Sequence, residues 1–274
     1  MAFADYDAFY TSLQEQNAIL AQVTTSTATN TRLHDLYRGA LDVTTGVVPA
    51  IPTTAVALSK SNTTALNYYL PNYSPESPYL IGARLNSAGA RGTYFIIDRL
   101  SHQGGLDGTA ITAQTTNLPT AALTRYTDGV GVIAALTIYT AIGATGTTVT
   151  ASYTNQAGTP GKTTVAQAIG ASTVNAGTRM VILPLAAGDA GVRSVESVTL
   201  TATTGTIGNF GVTLFKILGV ICVYDTQSLF VGDIITGGLA GGIPEIKDDA
   251  HISLLFVGDA TSSSGAISLL IGEA

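Results

Sequence analysis

Residues 179–224 read RMVILPLAAGDAGVRSVESVTLTATTGTIGNFGVTLFKILGVICVY, which is three apolar or alternating segments separated by glycine-rich turns. In the middle segment, apolar side chains are set among Ser, Glu and Thr, a pattern typical of a strand with one solvent-facing side. The last segment, residues 210–224, is apolar nearly throughout, which predicts a strand buried on both faces or a long bent strand. The apolar residues of the middle segment are Val192, Val195, Val198 and Leu200.

The same pattern extends on both sides of this stretch, from residue 79 to the end of the chain. Short apolar or alternating segments recur at roughly 8 to 12 residues, and turn-forming sequences such as QAGTPG and AAGDAG separate them. No helix-length periodic segment interrupts them, so parallel βαβ units are not expected. The sequence therefore predicts a mainly β protein, an antiparallel β-sandwich that is jelly-roll-like. The predicted strands are 79–84, 92–101, 130–140, 146–155, 162–169, 178–185, 192–204, 210–224, 251–259 and 266–274.

The N-terminal part, residues 1–78, differs from the rest. Apolar residues near the helical repeat predict a short N-terminal helical segment over residues 4–24, and a second short helix is predicted over residues 32–40, with Thr31 as its cap. Residues 41–78 hold most of the prolines and are expected to be irregular. We therefore divide the chain into an N-terminal helix and extended docking arm, 1–78, and a β-sandwich domain, 79–274.

A group of tyrosines lies at the end of this arm. Two interpretations stay open: the rings pack on the sheet beneath a loop, or they contact a neighbouring subunit, because Tyr is enriched at protein interfaces. The candidate interface residues are Tyr68, Tyr69, Tyr73 and Tyr79.

Charged residues make up only 11% of the chain, against roughly 25% in an average globular domain. With 46% apolar residues, the chain can bury a core, and its surface must consist largely of neutral residues. Such a surface favours packing against other subunits. The net charge of −6 argues against direct nucleic-acid binding through phosphates.

The location of the protein is also constrained by sequence. The N-terminus lacks the basic start and apolar run of a signal peptide, and residues 207–224 are too short and too interrupted for a membrane span. We expect synthesis in a cytoplasm and no membrane partner. The single cysteine, Cys222, cannot form an intrachain disulfide and is predicted to be a small buried residue.

Several motifs resemble functional sites. GTPGKTT at 158–164 is similar to a phosphate-binding loop, but Gln156 occupies the position of the first glycine, so a hairpin turn is predicted. His102 follows Ser101 and lies between Asp98 and Asp107. These residues could form a metal site, or Ser101 and His102 a nucleophile and its base, but the spacing matches no ligand pattern. We therefore predict that this stretch is the end of a strand followed by a polar loop.

Two further positions place acidic residues where a site could form. His251 lies beside Asp248 and Asp249, which could hold a cation at a loop, although this reading is not favoured. Glu196 is the one acid among the strand residues of the central stretch, and a solvated or interface position is predicted. We predict no catalytic residue, no cofactor and no metal, and therefore no enzyme.

The segment LSHQGGLDGTAITAQTTNLPTAALTRYTDGVGVIAALTIYTAIGATGTTVTASYTNQAGTPGKTT, followed by GDAGVRSVESVTLTATTGTIGNFGVTL, resembles virion structural proteins of tailed bacteriophages. The resemblance covers residues 92–220 and carries over no functional residues. It implies a β-rich shell, collar or tail component that assembles in repeated copies. The major capsid protein of such phages has a long spine helix and a mixed α/β body, which this chain lacks, so an accessory role is implied.

The sequence and the resemblance together predict a capsid decoration, cement or accessory head protein in the virion, assembled in the host cytoplasm. Its expected partners are other virion proteins and further copies of itself in a homo-oligomer, for which a trimer is a reasonable symmetry. A tail, collar or baseplate component is the alternative within this class. A carbohydrate-binding sandwich module is the alternative of another class, and the absence of Trp disfavours it.

Overall fold

Antiparallel strands form nearly all of the regular structure in the computed structural model, and a three-residue 3₁₀ helix, Leu36–Arg38, is the helical element of the part that it describes. The described residues are 17–25, 32–38, 40–41, 56–62, 64–66, 78–88, 91–116, 123–171, 177–224, 229–233, 244–258 and 263–273. The strands are β1 Asn17–Thr25, β2 Leu33–Asp35, β3 Ala40–Leu41, β4 Val56–Ala57, β5 Pro78–Ala88, β6 Gly92–His102, β7 Gln114–Thr115, β8 Ile133–Thr140, β9 Thr147–Asn155, β10 Lys162–Thr163, β11 Gln167–Ile169, β12 Met180–Ile182, β13 Val192–Leu200, β14 Asn209–Val223, β15 Leu229–Asp233, β16 Ile252–Gly258 and β17 Ser263–Glu273.

These strands form three antiparallel sheets. The first has the order β15-β5-β17-β1-β3, the second β10-β9-β13-β7 with β11 also on β9, and the third β12-β8-β14-β6-β16-β2 with β4 also on β6. The mainly β, antiparallel sandwich class predicted from the sequence is confirmed. No helix among the described residues is long and apolar enough to cross a membrane.

The third sheet curls into a nearly closed barrel. Its two end strands meet where His34 of β2 forms an antiparallel bridge with Arg179, the residue before β12. The backbone N–H of Asp35 donates to the carbonyl oxygen of Thr178 at 2.8 Å at the same place. Residues 33–38, which comprise β2 and the 3₁₀ helix, therefore close the barrel.

The barrel sheet contributes to three apolar cores. Its outer surface packs on the first sheet through a cluster that includes Leu218 and Ile221 of β14, and on the second sheet through a cluster that includes Phe210 and Val212 of the same strand. A third cluster, around Phe215, gathers inside the barrel. The long strand β14 thus contributes to all three cores, and the prediction of a strand buried on both faces over residues 210–224 is confirmed.

Two β-bulges explain the three-residue spacing of the valines in β13. The register against β9 shifts between Val192 and Ser194 and again between Val195 and Ser197. Each shift returns the next valine to the core face, although a regular strand would turn it outward. Val192, Val195 and Val198 are all fully buried, and the predicted strand with one buried face is confirmed.

The predicted N-terminal helix is wrong where the structure describes it. Asn17–Thr25 forms β1, paired residue by residue with β17, from Asn17 opposite Ile271 to Thr25 opposite Ser263. Cross-strand pairing over this length overrides a modest helical preference. The remaining residues of that predicted helix, 4–16, lie outside the described residues. The second predicted helix, 32–40, is also wrong: β2 occupies its first half, followed by a single 3₁₀ turn.

Strands from the N-terminal part take part in the same sheets as the later strands. β1 pairs with β17, β2 with β16, and β4 with β6. The domain division at residue 78 stays a prediction. Cys222 is half-buried rather than fully buried, with its Sγ 3.7 Å from the Thr93 hydroxyl.

Candidate functional site

The barrel interior holds a group of polar side chains at one end, which we call the polar cluster. Two of its members come from β6, two from residues 33–38, one from β8 and one from the residue before β16, and each is at most 4% exposed. Pairing within the barrel turns them inward: Asp35 lies opposite Leu255, and Arg99 opposite Phe215, on the face that carries the inner apolar core. The polar cluster consists of Asp35, Tyr37, Arg99, His102, Tyr139 and His251.

A buried ion pair between Asp35 and Arg99 lies at the centre of the cluster. Nη2 of Arg99 donates to Oδ1 of Asp35, and both side chains are essentially inaccessible. The same carboxylate oxygen accepts the backbone N–H of Tyr37 at 3.0 Å. The guanidinium carbon lies 4.5 Å from the centre of the Tyr37 ring, a cation–π geometry. The pair therefore holds residues 33–38 against β6.

Both histidines of the cluster are held neutral. Burial lowers the pKa of His102 to about 3, and the nearby cation of Arg99 acts in the same direction. Burial and then Arg99 likewise lower the pKa of His251 to about 3. An imidazolium without water and beside an arginine is strongly disfavoured. At neutral pH the cluster thus contains two uncharged imidazole rings.

Aromatic contacts orient these rings. His102 meets Tyr37 edge to face, with ring centroids 5.2 Å apart, and meets Tyr139 in the same way at 6.3 Å. His251 lies 5.9 Å from Tyr37, and its Nε2 is hydrogen-bonded to the Thr64 hydroxyl at 2.9 Å. Tyr37 therefore contacts both imidazoles as well as Arg99.

A second buried ion pair lies on the other face of β6. Arg125 donates from Nε and Nη2 to the two carboxylate oxygens of Asp98, at 2.9 and 2.8 Å, and also to the carbonyl oxygen of Leu58 at 2.9 Å. The backbone N–H of His251 donates to Asp98 at 3.0 Å. Burial raises the pKa of Asp98, which its bonds to Arg125 partly offset. This pair fixes the loop that carries His251.

Polar atoms without a hydrogen-bond partner among the described residues are concentrated in and beside the polar cluster. Such atoms destabilise a fold when they are buried. Their concentration here means that, within the described barrel, the polar cluster contributes least to stability through packing. They include Oδ2 of Asp35, Nε and Nη1 of Arg99, Oγ of Ser101 and Ser253, and Nδ1 of His102 and His251.

The residues that sequence patterns singled out are not assembled for catalysis or metal binding in the described structure. Among the described residues, Ser101 Oγ and His102 Nδ1 each have no hydrogen-bond partner, and both side chains are buried, so the structure does not bring them together as an accessible nucleophile–base pair. Asp107 instead binds the backbone N–H and the hydroxyl of Thr109, both at 2.6 Å. The described residues contain no group of three or more His, Cys, Asp or Glu placed to hold a metal ion.

The remaining motifs resolve into local structure. The predicted hairpin at GTPGKTT is confirmed: it joins β9 to β10, with Asn155 N–H donating to Thr159 O at 3.1 Å. Gly158 and Gly161 supply positive φ angles of 77° and 71° there. Glu196 is half-buried, and its Oε1 accepts from the hydroxyls of Thr154 and Ser194, each at 2.7 Å.

The predicted interface tyrosines fall mainly outside the described part. Tyr68, Tyr69 and Tyr73 lie outside the described residues. Tyr79 lies in β5 and is 5% exposed, so its side chain packs within its own chain. Contact between this tyrosine group and a neighbouring subunit stays a prediction.

The fold and the polar cluster define a mainly β protein with a nearly closed, polar-ended barrel. No family model matches the chain, and no curated protein matches it. Among solved structures, the chain is similar to that of the infectious bursal disease virus Gt strain, at 8% identity, over 94% of this chain and 82% of that chain, with a TM-score of 0.15. For the structure of the Gx strain, the identity is 12%, the match covers 94% of this chain and 59% of that chain, and the TM-score is 0.15. For the crystal structure of the VP2 subviral particle of that virus, the identity is 8%, the match covers 94% of this chain and 78% of that chain, and the TM-score is 0.13. TM-scores this low carry no argument about fold or function.

Proposed function

We propose that the chain is a structural protein of a bacteriophage virion, a capsid decoration, cement or accessory head protein that acts through contacts between subunits. The resemblance of residues 92–220 to such proteins and the very low charge of the chain support the proposal. The partners would be further copies of the chain and other virion proteins, in the virion.

One surface feature carries this proposal furthest. An open groove of about 410 Å³ lies beside β8 and β12, lined mainly by apolar side chains that include Ile133, Ile182 and Leu185. Exposed apolar side chains surround it: Ile182 is 37% exposed, Val130 47% and Val165 54%. Val165 is adjacent because its backbone N–H donates to Pro184, another lining residue, at 2.8 Å. Contiguous exposed apolar surface is typical of a contact site.

The groove also suits a partner of low charge. Asp189 is the charged residue among those that line it. Its carboxylate is already occupied by the Tyr153 hydroxyl at 2.6 Å and by Nδ2 of Asn155 at 2.7 Å, and these bonds lower its pKa. A second copy of this neutral-surfaced chain is the occupant that we propose for the groove.

The substitution Ile182→Lys tests this assignment. A lysine at the groove would have to be desolvated in the contact, so the variant is expected to dissociate while the wild type assembles. Size-exclusion chromatography with light scattering measures the mass of each. The control is Ile207→Lys, a charge at another exposed isoleucine, which is 60% exposed and does not line the groove, so assembly should stay intact.

Two results would count against the proposal. If both lysine variants assemble like the wild type, the groove is not the contact. If the wild type binds a defined sugar on a glycan array and remains a monomer, the chain is a carbohydrate-binding module and the virion role is wrong.

A further inference from the structure

The polar cluster brings a titratable pair of rings to the point where the barrel closes. Residues 33–38 close the barrel through three pairs with β16 and one bridge to Arg179. On the interior side, this segment is held by the Asp35–Arg99 ion pair and by Tyr37, whose ring contacts His102, His251 and Arg99. On the outer side, Leu36 packs in the core shared with the first sheet. So short a backbone pairing makes closure depend on these side-chain contacts.

We propose that acid opens the barrel here: protonation of His102 or His251 places a further buried cation beside Arg99, and residues 33–38 separate from β16 and from Arg179. The inference concerns the fold of the single chain and holds whether or not the virion proposal is right.

The charges around the two rings favour opening of the barrel, because they offer little to stabilise a protonated imidazole inside it. Arg99 engages Asp35 through Oδ1, while Oδ2 of the same carboxylate has no hydrogen-bond partner among the described residues. The carboxylate of Asp98 is engaged on both oxygens by Arg125. The single negative charge of Asp35 already balances Arg99 and would have to balance the new cation as well. The charged and titratable groups around them are Asp98 and Arg99 of β6, Asp35 of β2, Tyr37 of the 3₁₀ helix, Tyr139 of β8, and Arg125 with its distant second partner Asp249.

The sign follows from linkage. The pKa of each ring is about 3 in the closed state and 6.5 when the ring is exposed. The open state therefore binds more protons, and closure weakens as the pH falls from 6.5 towards 3. Exposure of one ring raises the opening constant about 30-fold near pH 5, and exposure of both raises it about a thousand-fold.

Hydrogen–deuterium exchange of the full chain between about pH 7 and about pH 5 measures this opening, after correction for the intrinsic pH dependence of exchange. We expect the amides of residues 33–38 to lose protection by about 25-fold if one ring is exposed and about 600-fold if both are, while those of β9 and β13 stay protected. In the double variant His102→Phe with His251→Gln, this loss should disappear. Loss of protection that is uniform over the chain, or that persists in the double variant, overturns the proposal.

A second measurement needs no variant and covers the case in which the double variant does not fold. NMR of the wild type with isotope-labelled histidine follows protonation of each ring directly. We expect protonation of His102 or His251 to coincide with loss of the closed-state amide signals of residues 33–38, because a ring takes up its proton only where the open state is populated. Protonation of both rings while those closed-state signals remain contradicts the proposal.

Discussion

The substitution Arg99→Met is expected to lower the free energy of unfolding by about 3 to 5 kcal/mol, one of the largest effects that a single change in this chain can have. Arg99 is fully buried, and its guanidinium is the cation that balances the equally buried Asp35. Methionine keeps much of the aliphatic volume but leaves the carboxylate without a counter-charge. The midpoint and slope of urea unfolding, followed by circular dichroism at a fixed protein concentration, measure the change.

A second substitution separates the loss of charge balance from the loss of packing. Asp35→Asn can still accept the backbone N–H of Tyr37 through its side-chain oxygen but carries no charge. In the double variant, Asp35→Asn with Arg99→Met, we expect most of the lost stability to return, because replacing a whole buried ion pair is often nearly neutral. Additive losses in the double variant would show that the ion pair does not couple the two residues.

The substitution Gly143→Ala is expected to be similarly destabilising, by about 3 kcal/mol or more, because the added methyl group has no room. A Cβ at this position would lie 1.7 Å from the backbone carbonyl oxygen of Thr204 and 2.7 Å from the backbone nitrogen of Thr206. Thr204 cannot shift easily: it is fully buried, and its hydroxyl donates to the carbonyl oxygen of Gly108 at 2.8 Å. Thermal unfolding by circular dichroism provides the measurement.

Gly146→Ala is the matched control, three residues away. A Cβ there would meet only the Cβ of Ala171 at 3.8 Å, an ordinary contact. We expect the unfolding free energy of this variant to lie within about 1 kcal/mol of the wild-type value, because the stiffer unfolded chain offsets any small cost of the new contact. Equal melting temperatures for the two alanine variants would contradict the close packing of the loops around Thr204.

Most of the strands could be predicted because their signal is local. The alternation in β9 and β13 and the continuous apolar run in β14 survive in the structure, and even the bulges of β13 are visible as the three-residue spacing of its valines. The prediction of an N-terminal helix was wrong over residues 17–25 because their apolar residues fit both the two-residue period of a strand and the 3.6-residue period of a helix. Ile19, Ala21 and Val23 alternate as in a strand, while Leu20 and Val23 also fit a helix. Only the distant partner β17 decides between them.

The polar cluster was missed because its members come together through long-range pairing. Asp35 and Arg99 are 64 residues apart, and Thr64 and His251 are 187 residues apart. One local signal was present: Asp98 and Arg99 interrupt the apolar strand FIIDRL in a chain with few charges. Adjacent side chains of a strand point to opposite faces, so two charged residues in sequence imply a buried partner on each face. That signal predicts buried ion pairs but cannot name Asp35 and Arg125 as the partners.

We propose that this weakly charged β protein works by packing against copies of itself. Sedimentation velocity of the full chain at neutral pH, over a wide range of concentrations, distinguishes such an assembly from a monomer. We predict a discrete oligomer of closed symmetry whose fraction rises with concentration. A sedimentation coefficient that stays at the value of a compact monomer at every concentration would contradict it.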